Sequence, residues 1–276
     1  MRIAIVSDST CDLPAAIVER YSIHVVPNLV VIDGQSLRDG IDISRQEFYE
    51  RLPQMKNHPT TATESSGVYQ ELYERLLSQG AEAVVSIHVS SKLSGIWNAA
   101  SVGAQDFGER VKVIDSQSLT LGIGFQVLGA AIASAAGAGL GEVLKTVESL
   151  RPRARVMAML DTLEYVRRSG RVSWARARLG NLLQIKPFVQ VRDGQVFSLG
   201  EARTRSKGVA RLKQLLLEQG RLERLAILHT NAEAEARQFL AQIDHGLAEE
   251  PMLVNVTTVI GVHVGPNGLG FAAIVA

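Results

Sequence analysis

Ala83-Val-Val-Ser-Ile-His-Val89 passes directly into Ser90-Ser-Lys-Leu-Ser94-Gly95, and a helical stretch follows through Ala100. An apolar run of this length fits a strand buried on both faces, as in a parallel sheet. A polar loop at its end, opening a helix, is the arrangement in which open α/β sheets bind ligands, beyond the C-terminal ends of the strands. The same order recurs to either side. RIAIVS at residues 2–7 ends in Asp8-Ser9-Thr10, with Pro14 ahead of Ile17 and Val18, as at a helix start. VKVID at 111–115 ends in Asp115-Ser116 and precedes a helix of small residues. Repeated strand–helix units imply a mostly parallel sheet covered by helices on both faces.

Between these units the pattern is less regular. HVVPNLVVI at 24–32 is interrupted by Pro27, which suggests an edge or a bulge. Asp39-Gly40 is a turn signal, and Ser44-Arg-Gln-Glu47 has the spacing of a capping box that opens a short helix through Leu52. Residues 56–63 read as a polar loop, followed by a helix in which Val68, Leu72 and Leu76 recur at four-residue spacing. Past Pro152 the texture changes. VMAML at 156–160 reads as a strand, and IKPFVQV and QVFSLG flank a hairpin turn at Asp193-Gly194. A helix over 206–218, strands at 225–230, 253–260 and 270–276, and a helix over 232–247 complete a mixed α/β half. The expected fold class is therefore α/β in two domains: residues 1–150 with a mostly parallel sheet and residues 151–276 with a mixed sheet.

Bulk composition narrows the functional classes. Twenty-nine basic residues against 28 acidic give a net charge of +1, so no global charge favours nucleic acid, and 5% aromatics argues against a base-stacking surface. One cysteine, Cys11, leaves no internal disulfide or Cys-rich metal site and fits a reducing, cytoplasmic setting. The N-terminus reaches Asp8 too soon for a signal peptide. No charge falls between Asp115 and Glu142, a span long enough for a membrane. Gly and Ala dominate its second half, however, and Thr120, Gln126 and Ser134 interrupt it. We expect a buried helix packed closely on a sheet, no stable transmembrane segment, and at most transient membrane contact.

Several polar residues sit where a site would form. Ser94 and Gly95 lie near a helix N-terminus, whose free N–H groups and dipole favour an anion; Ser94 serves equally well as an N-cap. Thr60, Thr61 and Thr63 occupy a loop ahead of the next helix, with the same two readings. His263 lies among glycines in Gly261-Val-His-Val-Gly265, which would let backbone approach a loop-borne site, or it is a structural histidine. Arg171, in Arg167-Arg-Ser-Gly-Arg171, is a candidate for anion recognition or part of a solvated charged face. A Ser94–His263 hydrolytic pair completed by Asp8 or Asp115 lacks the G-x-S-x-G elbow. Gly122-Ile-Gly124 begins a dinucleotide fingerprint, but Val127 stands where its last glycine belongs. There is neither H-E-x-x-H nor a phosphate-binding G-x-x-x-x-G-K-[ST] loop.

These short motifs, in their order and spacing, resemble the DegV family of bacterial fatty-acid-binding proteins over essentially the whole chain. The resemblance rests on Ser7-Asp8-Ser9-Thr10-Cys-Asp-Leu-Pro14, Pro59-Thr-Thr61, Ser90 to Gly95, Val113-Ile-Asp115-Ser116, Leu163-Glu-Tyr165 and Gly170-Arg171-Val-Ser173. Ile185-Lys-Pro187, Arg203-Thr-Arg205 and Gly261-Val-His263 to Gly265-Pro266 extend it. It implies a non-catalytic, two-domain lipid-binding protein that needs no cofactor or metal and takes a long-chain fatty acid as ligand. By the same resemblance, Thr61, Ser94 and the Gly95 N–H receive the carboxylate, His263 joins that network, and Arg171 is tied to the head group. The implied partner is a separate ATP-dependent fatty acid kinase subunit that makes acyl phosphate, a step in phospholipid metabolism. The alternative class is a carrier of another amphipathic acid without a kinase. Three departures stand out: Ala62-Thr63-Glu64 where the family usually has Ser-Gln-Pro, Ile96-Trp97 where it often has Thr-Tyr, and Asn267 where glycine is common.

Overall fold

The computed structural model describes residues 1–170 and 185–276. In chain order the strands are β1 (Ile3–Asp8), β2 (His24–Val26), β3 (Leu29–Ile32), β4 (Gln35–Arg38), β5 (Thr60–Ala62), β6 (Ala83–His88), β7 (Val111–Asp115), β8 (Ala154–Met159), β9 (Lys186–Arg192), β10 (Gln195–Ala202), β11 (Leu222–His229), β12 (Met252–Asn255) and β13 (Leu269–Val275). The α-helices are α1 (Ala15–Arg20), α2 (Arg45–Arg51), α3 (Ser66–Ser78), α4 (Ile96–Gly103), α5 (Leu121–Ala135), α6 (Leu140–Leu150), α7 (Glu164–Arg168), α8 (Arg205–Leu217), α9 (Glu233–Leu240) and α10 (Thr258–Val264).

The chain divides into two compact units. The first comprises Met1–Asn28, Thr63–Ala154 and Asp193–Gln195, and the second Leu29–Ala62, Arg155–Arg192 and Val196–Ala276. The sequence led to a single cut near residue 150, whereas the chain also crosses at Asn28/Leu29 and Ala62/Thr63. Local hydrophobic pattern does not reveal those crossings, because β3 is covered by α10, more than 200 residues downstream.

The first unit holds a parallel sheet in the order β2-β1-β6-β7. All six residues of β6 are buried. Helices α3 and α4 pack on β6, and α5 packs on β1 and β6. The uncharged segment after Asp115 forms α5, whose glycines permit close contact. A Cβ on Gly124 would fall 2.5 Å from the Cys11 carbonyl oxygen. The Ser134 hydroxyl donates to the Ile3 carbonyl at 2.9 Å. Among the described residues no helix is long and apolar enough to cross a membrane.

The second unit holds a six-stranded mixed sheet in the order β10-β9-β8-β13-β11-β12, and a separate three-stranded antiparallel sheet β4-β3-β5. Strand β11 runs parallel to β12 and antiparallel to β13. Met159, Phe188, Leu212, Ile227, Phe239 and Phe271 centre the main core. Val30, Phe48, Tyr49 and Val262 join the small sheet to α2 and α10.

Three local expectations are corrected. The run 24–32 is split at Pro27-Asn28 between two sheets, with β2 in the first unit and β3 in the second. The segment 56–63 is not wholly a loop, since Thr60–Ala62 forms edge strand β5. The run 253–260 is not one strand: β12 stops at Asn255 and residues 258–264 are helical.

The close approach at Gly124 gives a sign test. Helix propensity alone favours Ala over Gly by about 1 kcal/mol. The clash with backbone reverses this, so Gly124→Ala is expected to destabilise by about 1–3 kcal/mol. A lower urea midpoint would agree, and a raised one would refute the packing.

Candidate functional site

The loop that follows β6 is held from several sides within the first unit. Ser90 N–H donates to the Ser118 carbonyl at 3.0 Å, and its hydroxyl donates to the Gly194 carbonyl at 2.8 Å. Lys92 Nζ reaches the Asp193 carbonyl at 2.9 Å. The turn closes with Ser94 N–H on the Ser90 carbonyl at 3.1 Å. Gly95 is the N-cap of α4 and is exposed. Ser94 Oγ accepts a long 3.4 Å bond from Ile96 N–H. The N-cap reading of Ser94 is thus corrected to Gly95, and the 3.4 Å contact, which uses the Ser94 oxygen as acceptor, leaves the hydroxyl hydrogen for an anion.

Behind this loop lies a buried polar cluster that sequence reasoning missed. Asp8 Oδ1 accepts from Thr10 N–H at 3.0 Å, from the Thr10 hydroxyl and from Asn28 Nδ2 at 3.1 Å. Its Oδ2 accepts from Val89 N–H at 3.2 Å and lies 2.9 Å from His88 Nδ1. His88 Nε2 is 2.7 Å from Ser86 Oγ, which in turn accepts from the Tyr73 hydroxyl at 2.9 Å. Since Tyr73 supplies a hydrogen to Ser86, Ser86 has its own to give Nε2, and the ring hydrogen is assigned to Nδ1, facing Asp8. Tyr69 packs edge-on against the His88 ring. Burial by itself would raise the Asp8 pKa. The hydrogen bond and electrostatic attraction of the His88 Nδ1–H, helped by Thr10 and Asn28, outweigh it and hold the carboxyl below its ordinary 3.8.

Ser86, His88 and Asp8 have the connectivity of a charge-relay triad, yet all three are fully enclosed. The alternation in AVVSIHV, with Ser and His two apart on one strand face, was a signal for that pair but not for Asp8. The carboxylates weighed for a Ser94–His263 pair are engaged elsewhere: Asp8 as above, and Asp115 by the Ser91 hydroxyl at 2.6 Å and Gln117 N–H at 2.8 Å. The buried Cys11 thiol has its pKa pushed up to about 12, chiefly by burial, so it supplies no thiolate at neutral pH.

In the second unit Thr61 pairs with Val30 on edge strand β5 and is half-buried. His263 is also half-buried, but it lies in the last turn of α10 and not in the glycine loop expected. The neighbouring glycines serve packing. A Cβ on Gly261 would strike the Tyr49 ring, and one on Gly265, at φ +75, the Tyr165 ring. Helix α10 packs on β3 and β5, so the helix of His263 and the strand of Thr61 meet within this unit. Beside them, the His58 ring faces Tyr165 at 6.1 Å between ring centroids; burial and the Arg168 charge push its pKa down. Arg171 lies outside the described residues.

The later motif residues are engaged structurally. Lys186 Nζ reaches Asp161 Oδ1 at 2.6 Å, and Arg205 bonds Glu235 and the Asn267 carbonyl at 2.6 Å. Asn267 adopts φ +60, a conformation asparagine tolerates, which explains how it stands in for glycine. Trp97 is half-buried on α4. Among the described residues no cluster of three or more His, Cys, Asp or Glu could hold a metal.

The DegV family model, described as "Uncharacterised protein, DegV family", matches residues 2–276. The chain belongs to the DegV family. A DegV domain-containing protein of Listeria monocytogenes is 34% identical over 274 residues, covering 98% of this chain and 97% of that one. Among solved structures, a DegV family protein from Thermus thermophilus for which fatty acid binding is described superposes with a TM-score of 0.90 at 34% identity, covering 100% of both chains. DegV of Bacillus subtilis, a fatty acid binding protein, gives a TM-score of 0.88 at 30% identity, again with 100% of both covered. The present chain therefore has the two-domain DegV α/β fold, with a parallel sheet in one unit and a mixed sheet in the other.

Replacing Asp8 tests the cluster. Asparagine offers one acceptor where five donors converge, so Asp8→Asn is expected to cost about 3–5 kcal/mol in denaturant unfolding. The pH dependence follows from the lowered pKa. The stabilisation is complete above the unfolded value of 3.8 and is lost as pH falls through the folded one. The gap between wild type and Asp8→Asn should therefore narrow below about pH 4; a gap that widened there would contradict the assignment. Taking the difference removes the exposed carboxylates Asp42 and Glu164, which their arginine partners lower to about 2.

Proposed function

We propose that this DegV protein binds a long-chain fatty acid. The residues proposed for the carboxylate are Thr61, Ser94 and the Gly95 N–H, with His263 joining that network and Arg171 tied to the head group. The observation that carries this reading is the full-length match to the Thermus and Bacillus proteins, both fatty-acid binders. The chemistry of the candidate residues supports it. A buried carboxylate must be hydrogen-bonded, and hydroxyls with a backbone N–H at a helix start do this without a paired cation. Burying an acyl tail adds roughly 0.8 kcal/mol per CH₂, so the tail dominates affinity while the head group fixes register. The function is that of a carrier, not of an enzyme acting on the acid itself.

A finer reading extends this. The bound acid is presented to a separate ATP-dependent kinase subunit, which forms acyl phosphate. Its support is the resemblance of the Thr61, Ser94, His263 and Arg171 motifs to family members that work in this way. A head group held by neutral hydroxyls suits such an exchange, because a phosphate oxygen accepts the same bonds.

Native mass spectrometry of the purified protein, followed by lipid extraction, is expected to show one bound C14–C18 acid. Ser94→Ala and Thr61→Val should each weaken fatty acid binding by about tenfold, the worth of one hydrogen bond to a charged group. A protein that neither carries nor takes up fatty acid would refute the carrier reading. Acyl phosphate made when ATP and a DegV-associated kinase subunit are added would support the finer one, and acid binding without any such product would refute it.

A further inference from the structure

Helix α10 has little reason to form alone. It is seven residues long, Thr-Val-Ile-Gly-Val-His-Val, and consists largely of β-branched residues with a glycine in the middle. Such a sequence is a poor helix former, and so short a helix is unstable in isolation. Its N-cap residue, Thr257, makes no side-chain capping bond of its own. The cap comes instead from Asp39, about 219 positions away in the chain. Asp39 Oδ1 accepts from Thr258 N–H at 3.1 Å and from the Thr258 hydroxyl at 2.7 Å, and Oδ2 accepts from the Thr257 hydroxyl at 2.5 Å. Asp39 is only 4% exposed. A buried carboxylate is retained only where its oxygens are satisfied, and here the three donors all lie at the start of α10.

The position of Asp39 gives this clamp its reach. It directly follows β4, which pairs with β3, and β3 pairs with β5, where Thr61 faces Val30. The opposite end of α10 carries His263. Two further contacts seat the helix: the Tyr49 hydroxyl donates to the Val256 carbonyl at 3.0 Å with its ring against Gly261, and the Tyr165 ring lies against Gly265. We infer that Asp39 is a positioning residue for fatty acid binding, fixing α10 on the β4-β3-β5 sheet and so setting His263 relative to Thr61. This inference rests on the carrier reading, but it names a residue that touches no ligand and acts through another.

The test is a double-mutant cycle between Asp39 and His263, read as the dissociation constant for palmitic acid and as the NMR titration of the His263 ring. Asp39→Asn keeps an acceptor for Thr258 and is expected to bind within about threefold of wild type, whereas Asp39→Ala loses about tenfold or more. In a His263→Ala background, Asp39→Ala should cost less than about twofold more, since there is no ring left to position. The His263 titration should shift in Asp39→Ala and return in Asp39→Asn. Thr258→Ala, which removes one of the three bonds, is expected to weaken binding about threefold, and that loss too should vanish without His263. It keeps the cycle decisive if Asp39→Ala does not fold. Full additivity with His263→Ala, or unchanged affinity in folded Asp39→Ala and Thr258→Ala, would overturn the inference. A wild-type protein that binds no palmitic acid would instead sink the carrier reading, leaving the His263 titration to judge the clamp: an unmoved titration would overturn it.

Discussion

A carboxylate sealed inside a protein must find donors for both oxygens, and in the first unit Asp8 meets this demand by drawing three segments together. It takes bonds from the turn after β1, from Asn28 where the chain leaves the unit, and from His88 and Val89 where β6 ends. Each of these segments lies at the C-terminal edge of the parallel sheet. Hydrophobic burial makes the sheet, but it is non-directional and sets no angle for the loops beyond it. Hydrogen bonds to a fixed carboxylate do. The loop bearing Ser94 begins one residue after Val89, so its departure from the sheet is set by Asp8.

The second unit solves a similar problem with the same chemistry. Asp39 is enclosed, and its donors come from the start of α10. In both units a buried aspartate holds the backbone just before a candidate head-group residue. Neither aspartate is itself a candidate ligand, since a second anion beside a fatty acid carboxylate would repel it. The aspartates shape the backbone, and under the proposed function hydroxyls, an N–H and an imidazole are left for the carboxylate.

What could be read from the sequence follows this division. The parallel sheet was legible because its strands are continuous apolar runs, and the loop bearing Ser94 because a polar stretch between such a run and a helix marks where the strand ends. Thr61 was expected in a loop, and its strand was not legible. Edge strand β5 has three residues and carries no hydrophobic alternation, so only pairing with β3 defines it. Helix α10 was hidden for the opposite reason. Its β-branched residues read as strand, and the forces that make it helical come from Asp39, Tyr49 and Tyr165, none of them near it in sequence. The glycines beside His263 suggested close approach correctly, but the groups that approach are tyrosine rings. The Ser86–His88–Asp8 cluster went unseen because a serine or histidine inside an apolar strand gives no sign of its partner on the neighbouring strand.

The enclosed cluster also bears on how the fold relates to chemistry. Connectivity of Ser, His and Asp is not by itself a catalytic apparatus, for a nucleophile needs an open face and a hydroxyl free to attack. Ser86 has neither: it is fully buried, accepts from Tyr73 and is bonded to His88. The same bonds that would activate a serine in a cleft here satisfy three polar side chains inside a core, where leaving any one unpaired would cost about 1–3 kcal/mol. Ser94 is the reverse case. Its single bond is long, its hydrogen is uncommitted and it stands at an exposed helix start. Of the two serines that follow from the β6 stretch, the tightly bonded one maintains the scaffold, and the loosely bonded one keeps the capacity to hold an anion.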